Sequence, residues 1–173
     1  ARAGRRTWLL AGHPGRSCRG WSRAPSTRSS PPSGRRRWRD RWLPEAAIRV
    51  IHGELLAEHG GLDGMVNEDM LAATLARPQH LEAFSNPSPS LFQLAASYGF
   101  GFARNHCFSD GNKRVALAAI DVFLQLNGME LIASEAEAVV TIESIAAGDI
   151  SEEELAVWVE ASSQPFEEAL SDS

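Results

Sequence analysis

The sequence predicts an all-α domain, a compact bundle of about six helices, and three observations carry that expectation. Serine is followed three positions later by Gln or Glu at Ser90/Gln93, Ser134/Glu137 and Ser151/Glu154, a pairing that satisfies the unpaired amides of a helix start. Residues 91–103 carry no charge and residues 115–126 carry only Asp121, so both stretches are apolar on nearly every face and suit the centre of a bundle. No alternating run of strand length interrupts these patterns.

Taken in order, the first helix begins at Pro44, a residue suited to a first helical turn, and places Ile48, Ile51, Leu55 and Leu56 on one side before Gly60-Gly61 end it. A second, shorter helix is expected over 68–77, capped by Asn67 and stopped by Pro78. Residues 78–90, with three prolines, then form a loop or flap. The serine caps start helices over about 91–105, 135–147 and 152–162, and a further helix over 112–127 ends at Gly128. The two most apolar helices are joined only by residues 106–111, so they are expected to lie antiparallel in the core with the amphipathic helices around them.

The chain has 173 residues and a net charge of −5, but that figure averages two unlike parts. Residues 1–42 contain 12 Arg and one acid, whereas residues 43–173 contain 5 Lys or Arg and 21 acids. The first part also holds 6 Ser, 5 Gly, 4 Pro and 4 Trp without apolar periodicity, a composition that builds no core and predicts a disordered tail. Clustered arginines can bind nucleic acid by displacing counterions from phosphates. Arg, Gly, Pro, Ala and Trp together are equally what unselected GC-rich codons yield, and the tail reads best as a mis-set start or non-native segment. The domain is therefore placed at 43–163, followed by an acidic, flexible terminus over 164–173.

No stretch approaches the ~18 continuous apolar residues of a membrane span. Cys18 and Cys107 lie far apart with no CxxC pair, which excludes a disulfide scaffold or zinc site and fits a cytoplasmic setting. The short run Trp8-Leu9-Leu10-Ala11 is too brief for a secretory leader. His13, His52, His59 and His80 have no partners at ligand spacing and are read as structural.

The chemistry concentrates in the connection between the central helices, His106-Cys107-Phe108-Ser109-Asp110-Gly111-Asn112-Lys113-Arg114. A helix start offers unpaired N–H groups and partial positive charge, and a glycine lets a phosphate approach them. Lys113 and Arg114 add two cations. Asp110 is a hard oxygen ligand of the kind Mg²⁺ accepts alongside phosphate oxygens, and the neutral imidazole of His106 can take a proton from an attacking hydroxyl. Each residue alone has a structural role open to it, and Phe108 is read as a core anchor. Seven specified positions in this order arise by chance only about once in a million.

The string resembles the Fic/Doc motif in the HxFxDGNKRxA form of the death-on-curing branch. In the Fic form that transfers AMP, a glycine stands at the position of Lys113 and a second arginine at that of Leu117. The likeness extends to Gly60-Gly61-Leu62-Asp63-Gly64, Leu75-Ala76-Arg77-Pro78 and Phe123-Leu124-Gln125-Leu126-Asn127-Gly128. Cys107, Val115 and Ala118 depart from residues frequent in the branch.

The resemblance implies a toxin of a bacterial toxin–antitoxin module that transfers the γ-phosphate of ATP to a threonine of elongation factor Tu and arrests translation. On this chain His106 would be the base, Asp110 the Mg²⁺ ligand, and Gly111, Asn112, Lys113 and Arg114 the phosphate cradle. A cognate antitoxin is implied as partner, and residues 77–90 as a flap beside the acceptor peptide. AMP transfer is the second reading, because a lysine at 113 fills the space a glycine leaves for phosphate. A non-catalytic binding module using the Arg-rich arm is the third.

Overall fold

The computed structural model describes residues 42–165. The arginine-rich arm and the final acidic residues fall outside that range, and with them the readings made for both. Six helices follow in order: α1 (Glu45–His59), α2 (Glu68–Phe84), α3 (Leu91–Arg104), α4 (Asn112–Leu126), α5 (Glu135–Ala147) and α6 (Glu152–Ala161). The all-α bundle expected from the sequence is the fold. All three capping boxes form, with the backbone N–H of Gln93, Glu137 and Glu154 donating to the hydroxyls of Ser90, Ser134 and Ser151. No helix among the described residues is long and apolar enough to cross a membrane.

The charge-poor helices are the core. α3 packs along α4 and also meets α2, α5 and α6, and Leu94, Tyr98, Phe102, Ile120, Phe123 and Leu124 are fully buried. Gly99 meets Ile120 and Tyr98 meets Phe123. Both pairs are centred within the connection between the two helices, near Ser109 to Gly111, as two antiparallel helices require. The Tyr98 hydroxyl accepts from the Leu43 amide, and burial pushes its pKa up to about 12. Trp42, grouped with the tail on composition, stacks on Phe123 at 6.0 Å and belongs to the domain.

Two expectations are corrected. α2 does not stop at Arg77 but runs through Pro78 to Phe84, so residues 78–84 are helix and only 85–90 are loop. A proline inside a helix costs ~3 kcal/mol through its missing N–H and its clash with the preceding turn. Here Pro78 is buried, and on the preceding residue Arg77 pairs with Glu152 of α6 and lies 5.6 Å over the Phe100 ring; burial and these contacts offset that cost. The second correction is a short antiparallel pair, β1 (Met129–Leu131) with β2 (Ser163–Pro165). Three residues per strand are too few for alternation to register, and the partners lie 34 positions apart at Glu130 and Gln164. Gln164 and Pro165, expected to open the flexible terminus, are thereby paired.

The closeness of α3 and α4 rests on Gly99, where an added Cβ would fall on the Ile120 side chain, 2.7 Å from Cγ1. Gly99→Ala is expected to destabilise the chain by about 1–3 kcal/mol, the usual cost of overpacking a core, measured by urea denaturation. An unchanged midpoint would contradict the packing described.

Candidate functional site

The seven residues between α3 and α4 are stitched to the neighbouring elements. Asn105 donates through Nδ2 to Thr74 Oγ1 at 2.9 Å, and Cys107 Sγ lies 3.4 Å from the same hydroxyl, which ties the end of α3 to α2. The Asn67 amide donates to the Cys107 carbonyl at 2.8 Å, and Val66 forms an isolated antiparallel bridge with Phe108. Ser109 Oγ donates to the Met65 carbonyl at 2.9 Å. An extended segment beside the motif is the connection between α1 and α2.

Asn112 closes the turn on itself. Its Oδ1 accepts from the Phe108 amide at 2.9 Å and its Nδ2 donates to the Phe108 carbonyl at 2.7 Å. Phe108 is buried as the core anchor the sequence suggested. Of the residues read as a phosphate cradle, Asn112 therefore has its side chain committed to the loop. Arg114 is also engaged: Nη1 donates to the carbonyls of Leu55 and Gly60 at 3.3 and 3.0 Å, and Nη2 lies 3.8 Å from Asp110 Oδ1.

The start of α4 is left open. Its N-cap is Gly111, in the left-handed conformation at φ 83°, with no side-chain cap, whereas α2, α3, α5 and α6 are each capped by Asn or Ser. Such an end concentrates unpaired N–H groups and the positive pole of the helix. Lys113 projects beside it, exposed, with Nζ 3.8 Å from Glu143 of α5.

The Asp110 carboxylate lies at this helix start. Oδ1 accepts from the Gly111 amide at 2.6 Å and Oδ2 from the Leu62 amide at 3.3 Å. These two hydrogen bonds, then the Arg114 charge, hold its pKa below the ordinary carboxylate range against a smaller opposing effect of burial. Gly61 permits the approach, since a Cβ there would stand 2.7 Å from Asp110 Oδ2.

His106, Asp110, Gly111, Asn112, Lys113 and Arg114 all line one cleft of about 1030 Å³. Its far wall is apolar, made by Leu117 of α4 and by Val139, Ile142, Ala146 and Ala147 of α5. The cleft therefore joins a polar end, with a base, a carboxylate and helix-start amides, to an apolar wall suited to a flat ring. Among the described residues no cluster of three or more His, Cys, Asp or Glu could hold a metal by itself. A cation at Asp110 would need oxygen from a bound phosphate and water, which is how Mg²⁺ is commonly held.

Two contributors escaped the sequence reading. Glu143 and its neighbours on α5 are brought to the cleft only by the bundle. His52, read as merely structural, lies against the motif: its Nε2 is 3.0 Å from the Asp110 carbonyl and its ring stacks on Phe108 at 3.9 Å. One signal was present, because Ile48, His52 and Leu55 share a helical face, and an imidazole on a core face needs a polar partner.

This bundle, with a motif turn between two buried helices, defines a class. Residues 42–124 match the Fic/DOC family. The chain is 35% identical over 108 residues, 62% of its length, to the protein named Protein kinase doc of Escherichia phage P1, of which it covers 83%. It is 44% identical over 64 residues, 37% of its length, to Toxin Doc of Mycolicibacterium smegmatis, of which it covers 49%. The chain belongs to the Fic/Doc family, and both of these relatives carry the name of its Doc branch.

The Asp110 contacts predict a titration. Its carboxylate stays ionised as pH falls through the ordinary aspartate range, so the stabilisation it gives is complete above that range, declines as the unfolded chain takes up the proton, and is gone below its own lowered pKa. Carboxyl ¹³C shifts should give a midpoint below that of aspartate in an unstructured peptide; a midpoint at or above it would contradict the geometry.

Proposed function

We propose that this chain is the toxin of a toxin–antitoxin module and acts as an ATP-dependent phosphotransferase on a protein hydroxyl. The carrying observation is the uncapped, glycine-led start of α4 beside Asp110 and His106 in one cleft. The relatives' names, Protein kinase doc and Toxin Doc, support the same reading. In this account the triphosphate passes over Gly111, whose own N–H is held by Asp110, and lies along the Asn112, Lys113 and Arg114 amides with the Lys113 side chain beside it, while the nucleotide's base rests on the apolar wall of α5.

Asp110 would hold Mg²⁺ together with phosphate oxygens, and the ion would supply charge neutralisation at the reacting phosphates. The protein's own part is to position and to accept a proton. His106, exposed at the cleft, takes the proton of the acceptor hydroxyl as its oxygen bonds to the γ-phosphorus. The bond from that phosphorus to the β–γ bridging oxygen breaks, and ADP leaves. The acceptor proposed is a threonine of a translation factor such as elongation factor Tu, so the effect on the cell is arrest of translation in the cytoplasm, relieved by a cognate antitoxin.

The apolar Leu117 in the cleft supplies no second cation where the AMP-transferring form has one, and Lys113 fills the position of its glycine. ATP labelled separately at the α- and γ-phosphate tests the assignment on a bacterial translation extract. Label from the γ position is expected on an acceptor protein. His106→Ala should lower the rate by at least ~100-fold, the lower range for loss of a general base. Protein labelling from the α position, or full activity in His106→Ala, would contradict the proposal.

A further inference from the structure

His52 is the buried titratable group that this mechanism leaves unused. It sits on α1, only 8% exposed, and makes three contacts with the motif, 56 to 59 positions away. Its ring lies nearly parallel to that of Phe108, with 3.9 Å between centroids and 14° between planes. Its Nε2 is 3.0 Å from the Asp110 carbonyl oxygen. A Cβ added to Gly111 would stand 3.4 Å from its Cδ2, so the imidazole also packs against the residue that starts α4.

A carbonyl oxygen only accepts, so Nε2 must carry the proton and donate. The consequence reaches the carboxylate through covalent geometry. The Asp110 carbonyl and the Gly111 N–H belong to one rigid, planar peptide unit. His52 holds the oxygen end of that plane, and the nitrogen end donates to Asp110 Oδ1 at 2.6 Å. If the oxygen were released, the plane could turn about its flanking bonds and carry the N–H away from the carboxylate. Stacking on Phe108 holds the imidazole from its face and leaves its edge for the carbonyl.

We propose that His52 is a positioning residue for the reaction: by donating to the Asp110 carbonyl while stacked on Phe108, it fixes the Asp110–Gly111 peptide plane and thereby aims the Asp110 carboxylate and the Gly111 amide. This role rests on the proposed phosphotransfer for its catalytic meaning, but not for its structural content.

Three versions of the full chain test it: wild type, His52→Phe, which keeps an aromatic ring and loses the donor, and His52→Gln, which keeps a donor and loses the ring. In His52→Phe, with its thermal midpoint near wild type, the amides of Gly111 and Leu62 that donate to Asp110 should exchange with solvent at least about tenfold faster. Its kcat for γ-phosphate transfer should fall by about 10–100-fold, the usual effect of removing a group that orients a ligand, with little change in the KM for the acceptor protein. His52→Gln should recover most of both. Wild-type exchange rates in folded His52→Phe, or a His52→Gln no better than His52→Phe, would overturn the role. Ring ¹⁵N shifts of wild-type His52 decide the donor without any variant: protonated Nε2 is expected, and a bare Nε2 overturns it. A wild-type chain that transfers no phosphate would refute the phosphotransfer reading alone, because exchange and ring shifts still decide the positioning.

Discussion

The structure depends on one constraint: the chain must reverse between two buried helices in a few residues while leaving the amides at the start of the second helix unpaired. Four of the other five helices satisfy their starts with Asn or Ser side chains, and α1 begins at Pro44 without one. At α4 the fold puts a left-handed glycine, and the exposed donors are available to an anion instead. An open helix end beside a turn would be mobile by default. Here mobility is prevented by closing the turn on itself through Asn112 on Phe108 and by anchoring it from outside through Ser109 on Met65, Leu62 on Asp110 and His52 on the Asp110 carbonyl.

That arrangement divides labour between the core and the surface. α3 and α4 are apolar enough to be buried on most sides, so packing holds their bodies while hydrogen bonds from Ser90, Asn105 and Asn112 fix their ends. α1 and α2 deliver the anchors, and the carbonyls of Leu55 and Gly60 at the end of α1 hold the Arg114 guanidinium. α5 adds the opposite wall, where Val139 and Ile142 stand near Glu143 and its Lys113 partner. The polar and apolar parts of the cleft therefore come from different elements and meet only when the bundle closes.

Local signals were legible in the sequence and non-local ones were not. The serine boxes located the starts of α3, α5 and α6, and the charge-poor stretches located the core pair, because capping and burial are written in consecutive residues. The motif string placed His106, Asp110 and Gly111, all of which line one cleft. Pro78 misled because its local penalty is visible while the compensating contacts of Arg77 with α6 and Phe100 are tertiary. The β1–β2 pair was too short to show a period. His52 was passed over since its partner is a backbone carbonyl, which no side-chain pattern can reveal. The motif does not say which way the Asn112 side-chain amide faces; it closes on the Phe108 backbone, and the part of Asn112 open to a phosphate is its backbone N–H.

The central claim is that the open start of α4 binds a magnesium-bound triphosphate. An NMR titration of the ¹⁵N-labelled chain with ATP and Mg²⁺ tests it most directly. The account predicts that the amides of Gly111, Asn112, Lys113 and Arg114 shift most, together with the methyl groups of Val139 and Ile142. Nucleotide binding that leaves those amides unmoved, or saturating ATP and Mg²⁺ with no shift at all, would contradict it.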